Sequence, residues 1–222
     1  MIEYGQPMHA FRLDRIDSEI RVRHARRNER LTLLDGKKIT MDRTTLVIAD
    51  KNKSVALAGI MGGLKTAITA DTRNVLLEAA YFRPQAVAQR ARQMALQTDA
   101  VYRFERGVDP ALQRTAMIRA TALLCEATGA APGPLCQAVV PGYLPQRRWI
   151  RLRRSRLDLM LGTRLPTAQI SQVLNRLAME VKRNGHDWLV RAPSYRLDIS
   201  YEHDLIEEVA RITNYENCLL YT

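Results

Sequence analysis

LLEAAYFRPQAVAQRARQMALQTDAVYRFERGVDP, residues 76–110, decides how the rest of the chain reads. Val75, Leu76 and Leu77 form a short apolar run of strand type that carries Glu78 to a sheet edge or into a cleft. A carboxylate in an apolar setting is costly unless something binds it. Pro84 suits the first turn of a helix, and QAVAQRARQMAL then places Val87, Ala91, Met94 and Ala95 on one helical face. Thr98, Asp99 and Ala100 read as a loop, and Asp109 with Pro110 as the start of another helix. Two readings of Glu78 stay open: an ion pair with Arg103 or Arg106, or a group that receives a ligand.

Working outward, residues 20–82 read mostly as strands. IRVRHA alternates, Asp35-Gly36 signals a turn, and LVIAD and VALAG are apolar runs separated by KNKS. From Pro84 to Gly129 the pattern is helical, giving two helices that cover the sheet, with Gly129 as the stop. APGP at 131–134 and PGYLPQ at 141–146 set the domain boundary near 145. The segment from 146 reads strand, short helix, helix, hairpin, helix. Ser155 and Thr167 are the expected helix N-caps, Ile170, Val173, Leu174 and Leu177 share one face, and Asn184-Gly185 is the hairpin turn. The expected fold is α+β: a mixed sheet covered by helices over 1–145, then a small winged-helix-like α+β domain over 146–222, a common docking module for nucleic acid or protein.

At 222 residues and 46% hydrophobic, the chain has material for one good core or two modest ones. Its net charge of +11 favours a polyanionic partner such as nucleic acid. From Arg147 onward 13 basic residues face 9 acidic ones, a net +4 that leaves +7 for residues 1–146, so the excess is spread over a folded surface. Cys125, Cys136 and Cys218 show neither CxxC nor histidine spacing, so neither a zinc site nor a disulfide framework is suggested and a reducing cytosol is expected. No apolar run approaches the roughly 20 residues of a membrane span, and the first residues lack a signal-peptide pattern.

Two charged constellations remain. Six arginines within 147–156 either touch phosphates or meet acidic neighbours. Asp204, Glu207 and Glu208 stand at i, i+3 and i+4 on one helical face, and Asp198 arrives six residues earlier. Oxygen-only ligands select a hard cation such as magnesium, although acids in a first helical turn are also favoured by the helix dipole.

QPMHAF at 6–11, LLDGKK at 33–38, LVIAD at 46–50, LAGIMGG at 57–63, LLEAAYF at 76–82 and TDAVYRFERGVDP at 98–110 together resemble the beta subunits of bacterial phenylalanyl-tRNA synthetases. PSYRLDI at 193–199 and DLIEEVARI at 204–212 extend the resemblance over nearly the whole chain; so many blocks in order make it specific. It implies that the first domain is the family's editing domain, which hydrolyses tyrosine wrongly attached to phenylalanine tRNA. Discrimination of a hydroxyl by an apolar pocket reaches only about a hundredfold, so a second hydrolytic site makes sense. The positions that match the editing pocket are His9, Gly59, Gly62, Glu78, Thr98 and Ala100. Glu78 would accept a hydrogen bond from the tyrosine hydroxyl, the glycines would let backbone approach the ligand, Ala100 would leave space for the ring, and His9 and Thr98 would position the ester and a water. By themselves, His9 is also readable as a structural histidine and the MGG glycines as a tight turn.

By the same resemblance Asp198, Asp204, Glu207 and Glu208 match a magnesium site of structural character, and the aminoacylation centre belongs to a partner alpha subunit. The implied assembly of two alpha and two beta chains uses ATP, phenylalanine and magnesium to charge phenylalanine tRNA in the cytoplasm. The chain departs from the family at Arg12 (an aspartate is usual), Ala95 (glycine), Val101 (serine) and the ITNYENC ending at 212–218. It is expected to be an internal piece of a longer subunit, lacking the upstream part of the editing domain. Two rival functions are a non-enzymatic module that docks tRNA or the partner subunit, and a metal-dependent hydrolase working at the acidic cluster.

Overall fold

The computed structural model describes residues 1–213, and two compact units divide the chain, Met1–Tyr143 and Leu144–Thr222. Cys218 and most of the divergent ending therefore lie outside the described residues.

In the first unit, the LVIAD and VALAG runs become β5 (Leu46–Ala49) and β6 (Ser54–Leu57), almost wholly buried. They are the inner strands of a four-stranded antiparallel sheet, flanked by β2 (Arg21–His24) and β7 (Met61–Gly62). Continuous apolar runs suit strands covered on both faces. β2 is an edge strand, and its Val22 is exposed despite the alternating pattern. A ribbon of β3 (Glu29–Thr32) and β4 (Lys38–Met41) turns at Asp35-Gly36, where the Lys37 amide donates to Asp35 Oδ1 over 2.9 Å. A second ribbon pairs β1 (Met8–Arg12) with β8 (Val75–Ala79). The α+β class expected from the sequence is present, with every ladder of the described residues antiparallel and the sheet region split into separate ladders.

Glu29 ties these pieces together. Its carboxylate accepts from Arg23 Nη1 (2.9 Å) and Nη2 (2.8 Å), the Arg26 amide (2.7 Å) and the Ser54 amide (3.0 Å). Those donors, Arg23 first, hold its pKa down to about 2.

Three helices follow rather than two: α1 (Pro84–Gln93), α2 (Asp99–Phe104) and α3 (Gln113–Thr128). The TDA segment is not a loop. Thr98 caps α2, accepting from the Val101 amide at 3.1 Å, and Asp99 and Ala100 form its first turn. The helix expected at Asp109-Pro110 begins at Gln113, because Asp109 Oδ1 instead accepts from the Ala111 amide and closes a turn. α3 stops at Gly129, at a φ of +69°. Phe11, Leu33, Val47, Leu57, Phe82 and Phe104 belong to the one buried cluster of this unit.

The second unit runs β9 (Ile150–Leu152), α4 (Arg154–Leu161), α5 (Thr167–Arg176), β10 (Glu180–Asn184), β11 (Asp187–Arg191) and α6 (Glu202–Thr213). β10 and β11 form the hairpin, with Asn184 facing Asp187 and Gly185 at a φ of +61°, and β9 adds to β11 as the third strand. Neither expected cap acts as one. α4 starts before Ser155, Thr167 is already helical behind Pro166, and neither helix has a side-chain cap. Trp188 is fully buried among Leu152, Leu157, Ile170, Leu174 and Leu205, and its indole N–H is satisfied by Ser171 Oγ at 2.9 Å.

Candidate functional site

The β1–β8 register sets His9 directly opposite Glu78, so the two side chains leave the ribbon on the same face. Neither expected arginine reaches Glu78. Arg106 lies against Tyr102 and Glu105, and among the described residues the Glu78 carboxyl makes no hydrogen bond or ion pair. Desolvation raises its pKa to about 7, so near neutrality a large share of the population is protonated. This group can present either an O–H donor or an acceptor oxygen to a ligand hydroxyl.

His9 is just as unpartnered. Its ring packs edge-on against Phe11 at 4.5 Å, its buried Nε2 has no hydrogen-bond partner, and burial lowers its pKa so that the imidazole is neutral at pH 7. A buried ring nitrogen without a partner is uncommon in a folded protein, which makes His9 a candidate site residue.

The two glycines do different work. A Cβ at Gly62 would overlap the His9 imidazole, so Gly62 is the space in which that ring lies. Gly59 has a φ of +70°, and a Cβ there would stand 3.0 Å from Phe82 and Val87 and 3.2 Å from Phe104. Its smallness therefore serves the apolar core; backbone approach to a ligand is not its visible role. Thr98 is likewise committed: besides capping α2, its hydroxyl donates to the Ile60 carbonyl at 3.0 Å, which fixes α2 to the turn ahead of Gly62. Ala100 is partly buried against the core.

Sequence reasoning missed two residues here. Leu34, an exposed apolar side chain in the β3–β4 turn, lies beside the position a Gly62 Cβ would take, and its amide donates to the Gly62 carbonyl at 3.1 Å. Gln6 is buried; its Nε2 donates to the Ala80 carbonyl at 2.9 Å, while its Oε1 accepts from Gln113 at 3.1 Å, fastening the end of β8 to α3. Leu34 sits in the LLDGKK block and Gln6 in QPMHAF, so the blocks were visible and the contacts were not. A separate groove of about 900 Å³, bordered by Tyr4, Met8, Asp99, Tyr102 and Arg119, contains neither His9 nor Glu78.

In the second unit the four acids do not converge. Asp198 is paired with Arg196, Glu208 with Arg196 and Arg211, and Asp204 Oδ2 accepts from the Ser200 and Tyr201 amides, each at 2.8 Å. Glu207 is exposed. Among the described residues no group of three or more His, Cys, Asp or Glu side chains is arranged to hold a metal ion, so the side chains as placed do not fit magnesium. Five of the six arginines in the cluster, all but Arg148, meet acidic neighbours. Arg147 meets Glu180, Arg151 meets Asp187, Arg153 and Arg156 meet Glu202, and Arg154 meets Asp158. No helix among the described residues is long and apolar enough to cross a membrane.

Residues 1–129 match the B3/4 domain family and residues 150–215 the tRNA synthetase B5 domain. The chain is 51% identical over 216 residues to the phenylalanine–tRNA ligase beta subunit of Xanthomonas euvesicatoria pv. vesicatoria, an alignment covering 97% of this chain and 27% of that protein. It is 49% identical over 217 residues to the beta subunit of Yersinia pestis, again covering 27% of that protein. An N-terminal fragment of the phenylalanyl-tRNA synthetase beta subunit from Pyrococcus horikoshii overlaps 94% of this chain and 60% of its own, at a TM-score of 0.47 and 14% identity, a distant likeness that decides nothing about the site. The chain thus spans about a quarter of the length of the curated relatives it matches. With the B3/4 match covering more than half of its residues and a tRNA synthetase B5 domain behind it, the chain belongs to the B3/4 domain family and is related to the beta subunits of phenylalanine–tRNA ligases.

Proposed function

We propose that the first unit performs hydrolytic editing within a phenylalanine–tRNA ligase beta subunit, clearing tyrosine from mischarged phenylalanine tRNA. The observation that carries this reading is the Glu78 carboxyl, left without a protein partner directly across the ribbon from the unpartnered His9. A tyrosine hydroxyl satisfies Glu78; phenylalanine leaves it desolvated and alone. A site built around a polar contact rejects the analogue that lacks it far better than an apolar pocket does. Neutral His9, with Nε2 available in the space Gly62 leaves, orients the ester or its attacking water. Thr98 acts one step back, holding α2 against Ile60. Leu34 provides apolar surface for the ring.

In the whole ligase, two beta and two alpha subunits would together use ATP and magnesium to charge phenylalanine tRNA in the cytoplasm, with the aminoacylation centre in the alpha subunit. The net charge of +11 suits a tRNA partner. A metal-dependent hydrolase at α6 gains no support, since Asp198, Asp204 and Glu208 are engaged by arginines or backbone amides and leave Glu207 alone.

The test is single-turnover deacylation of tyrosyl-tRNA specific for phenylalanine, comparing the chain with Glu78→Ala. The expected result is hydrolysis by the parent chain and loss of its preference for tyrosine over phenylalanine in the variant. Hydrolysis that keeps its tyrosine preference in Glu78→Ala would overturn the assignment. No hydrolysis by either chain would reduce this piece to a docking module for tRNA or the partner subunit.

A further inference from the structure

We propose that Arg196 is the resident cation of the second unit, occupying the place between Asp198 and Glu208 that a divalent ion would need. Its Nε donates to Asp198 Oδ1 at 2.9 Å, and its Nη2 to Asp198 Oδ2 at 2.7 Å and to Glu208 Oε1 at 2.8 Å. One guanidinium nitrogen thus bridges the two carboxylates. The remaining oxygen of Glu208 accepts from Arg211 Nη2 at 2.6 Å, so both Glu208 oxygens are taken. Glu208 belongs to the buried face of α6 beside Leu205 and Val209, whereas Asp198 lies on the extended segment that leads into that helix. Arg196 therefore fastens that segment to α6 from the side.

A guanidinium suits this role for reasons a metal does not share. It carries its charge at every physiological pH, its planar fork of donors matches carboxylates in pairs, and it is weakly hydrated. Magnesium surrenders its water reluctantly and demands near-octahedral geometry. To bind here it would have to displace a guanidinium already hydrogen-bonded to both carboxylates, and would find Asp204 turned toward the Ser200 and Tyr201 amides. The second unit accordingly folds and holds its shape without a divalent ion. This inference stands apart from the editing reading, because deacylation by the first unit neither requires nor excludes it.

The experiment uses the full chain, with melting followed by tryptophan fluorescence in chelator and in millimolar magnesium, and manganese uptake followed by electron paramagnetic resonance. Both tryptophans, Trp149 and Trp188, lie in the second unit, so the signal reports on that unit alone. The wild-type melting temperature is expected to be the same in both buffers, and the signal of free manganese undiminished by stoichiometric protein. Arg196→Gln leaves Asp198 and Glu208 unneutralised; it should melt several degrees lower in chelator, recover most of that loss in magnesium, and take up manganese. If Arg196→Gln does not fold, Arg196→Lys keeps the charge and is expected to fold without magnesium and to leave manganese free. Stoichiometric uptake of manganese by the wild type or by Arg196→Lys, or a magnesium-dependent rise in the wild-type melting temperature, would overturn the proposal.

Discussion

Glu29 and Glu78 are two strand glutamates of the same unit held in opposite ways. Glu29 receives four donors and its pKa falls to about 2; Glu78 receives none and its pKa rises to about 7. Desolvation pushes both carboxyls up, far more strongly at Glu78, and only at Glu29 do donors outweigh it. The neighbours differ too: Glu29 sits where β2, β3 and β6 meet and backbone amides point at it, whereas Glu78 has His9 across the ribbon and no donor. A saturated carboxylate is a fastener. An unsaturated one costs stability, which makes Glu78 a candidate for meeting a ligand.

The largest stability effect should come from breaking the fastener. Glu29→Ala removes the partner of a mostly buried Arg23 and strands the Ser54 amide, so a loss of about 3 kcal/mol is expected in urea denaturation of the first unit, read from hydrogen exchange of β5 and β6 amides. Glu78→Ala should leave that stability unchanged or higher. Equal losses in the two variants would erase the contrast.

Acid–base titration sharpens the same comparison, because the two groups have opposite signs. Glu29 is depressed on folding, so its contribution is present above its ordinary pKa of 4.5 and disappears as pH falls toward 2; allowing for solvent screening it amounts to about 2 kcal/mol. Glu78 is raised on folding, so the folded state holds its proton more tightly. Stability is greatest below pH 4.5 and declines as pH rises to about 7, by about 2–3 kcal/mol. Subtracting the Glu78→Gln curve from the wild type should show that decline and a plateau beyond pH 7. A flat difference would mean that Glu78 is not desolvated.

Gly62→Ala probes the other half of the site. The new methyl would overlap the His9 ring, and crowding of this kind costs about 1–3 kcal/mol. The ring must move to relieve it, so deacylation should fall further than stability does. Gly59→Ala is the control, since its methyl meets Phe82, Val87 and Phe104; there the loss of activity should track the loss of folded protein. If both variants lose activity only in step with stability, Gly62 is structural like Gly59.

Much of this was legible in the residues. The apolar runs at 46–50 and 55–59, the helix opened by Pro84, the stop at Gly129 and the hairpin at Asn184-Gly185 are local signals, and local chemistry decided them. What escaped was decided by distance in sequence. The TDA segment is too short to show a helical period, yet Thr98 caps α2 while its hydroxyl donates to the Ile60 carbonyl, far upstream. The i, i+3, i+4 acids suggested one site, and nothing in their spacing reveals that Arg196 and Arg211 would claim Glu208 while backbone amides claim Asp204. The pairing of His9 with Glu78 depends on joining β1 to β8 across the whole sheet region, a contact only the fold supplies.

The smallest expected effect concerns how α2 is delivered to the site. α1 ends through Ala95, which has a φ of +51°, and the Leu96 amide reaches back to the Ala91 carbonyl at 2.9 Å. This left-handed position carries a methyl group where the family resemblance has glycine. A non-glycine residue there is strained by about 1 kcal/mol, but glycine also leaves the unfolded chain more freedom, which offsets part of the gain. Ala95→Gly should therefore stabilise the first unit by about 0.5 kcal/mol, measurable as a shift in the denaturation midpoint with unchanged slope. Because Thr98 follows three residues later and already has two hydrogen bonds fixing it, relief of this strain should leave deacylation unaltered. A variant that gained stability but lost tyrosine selectivity would show that the strained turn sets the position of α2, and that the contrast between fasteners and site residues extends into the backbone.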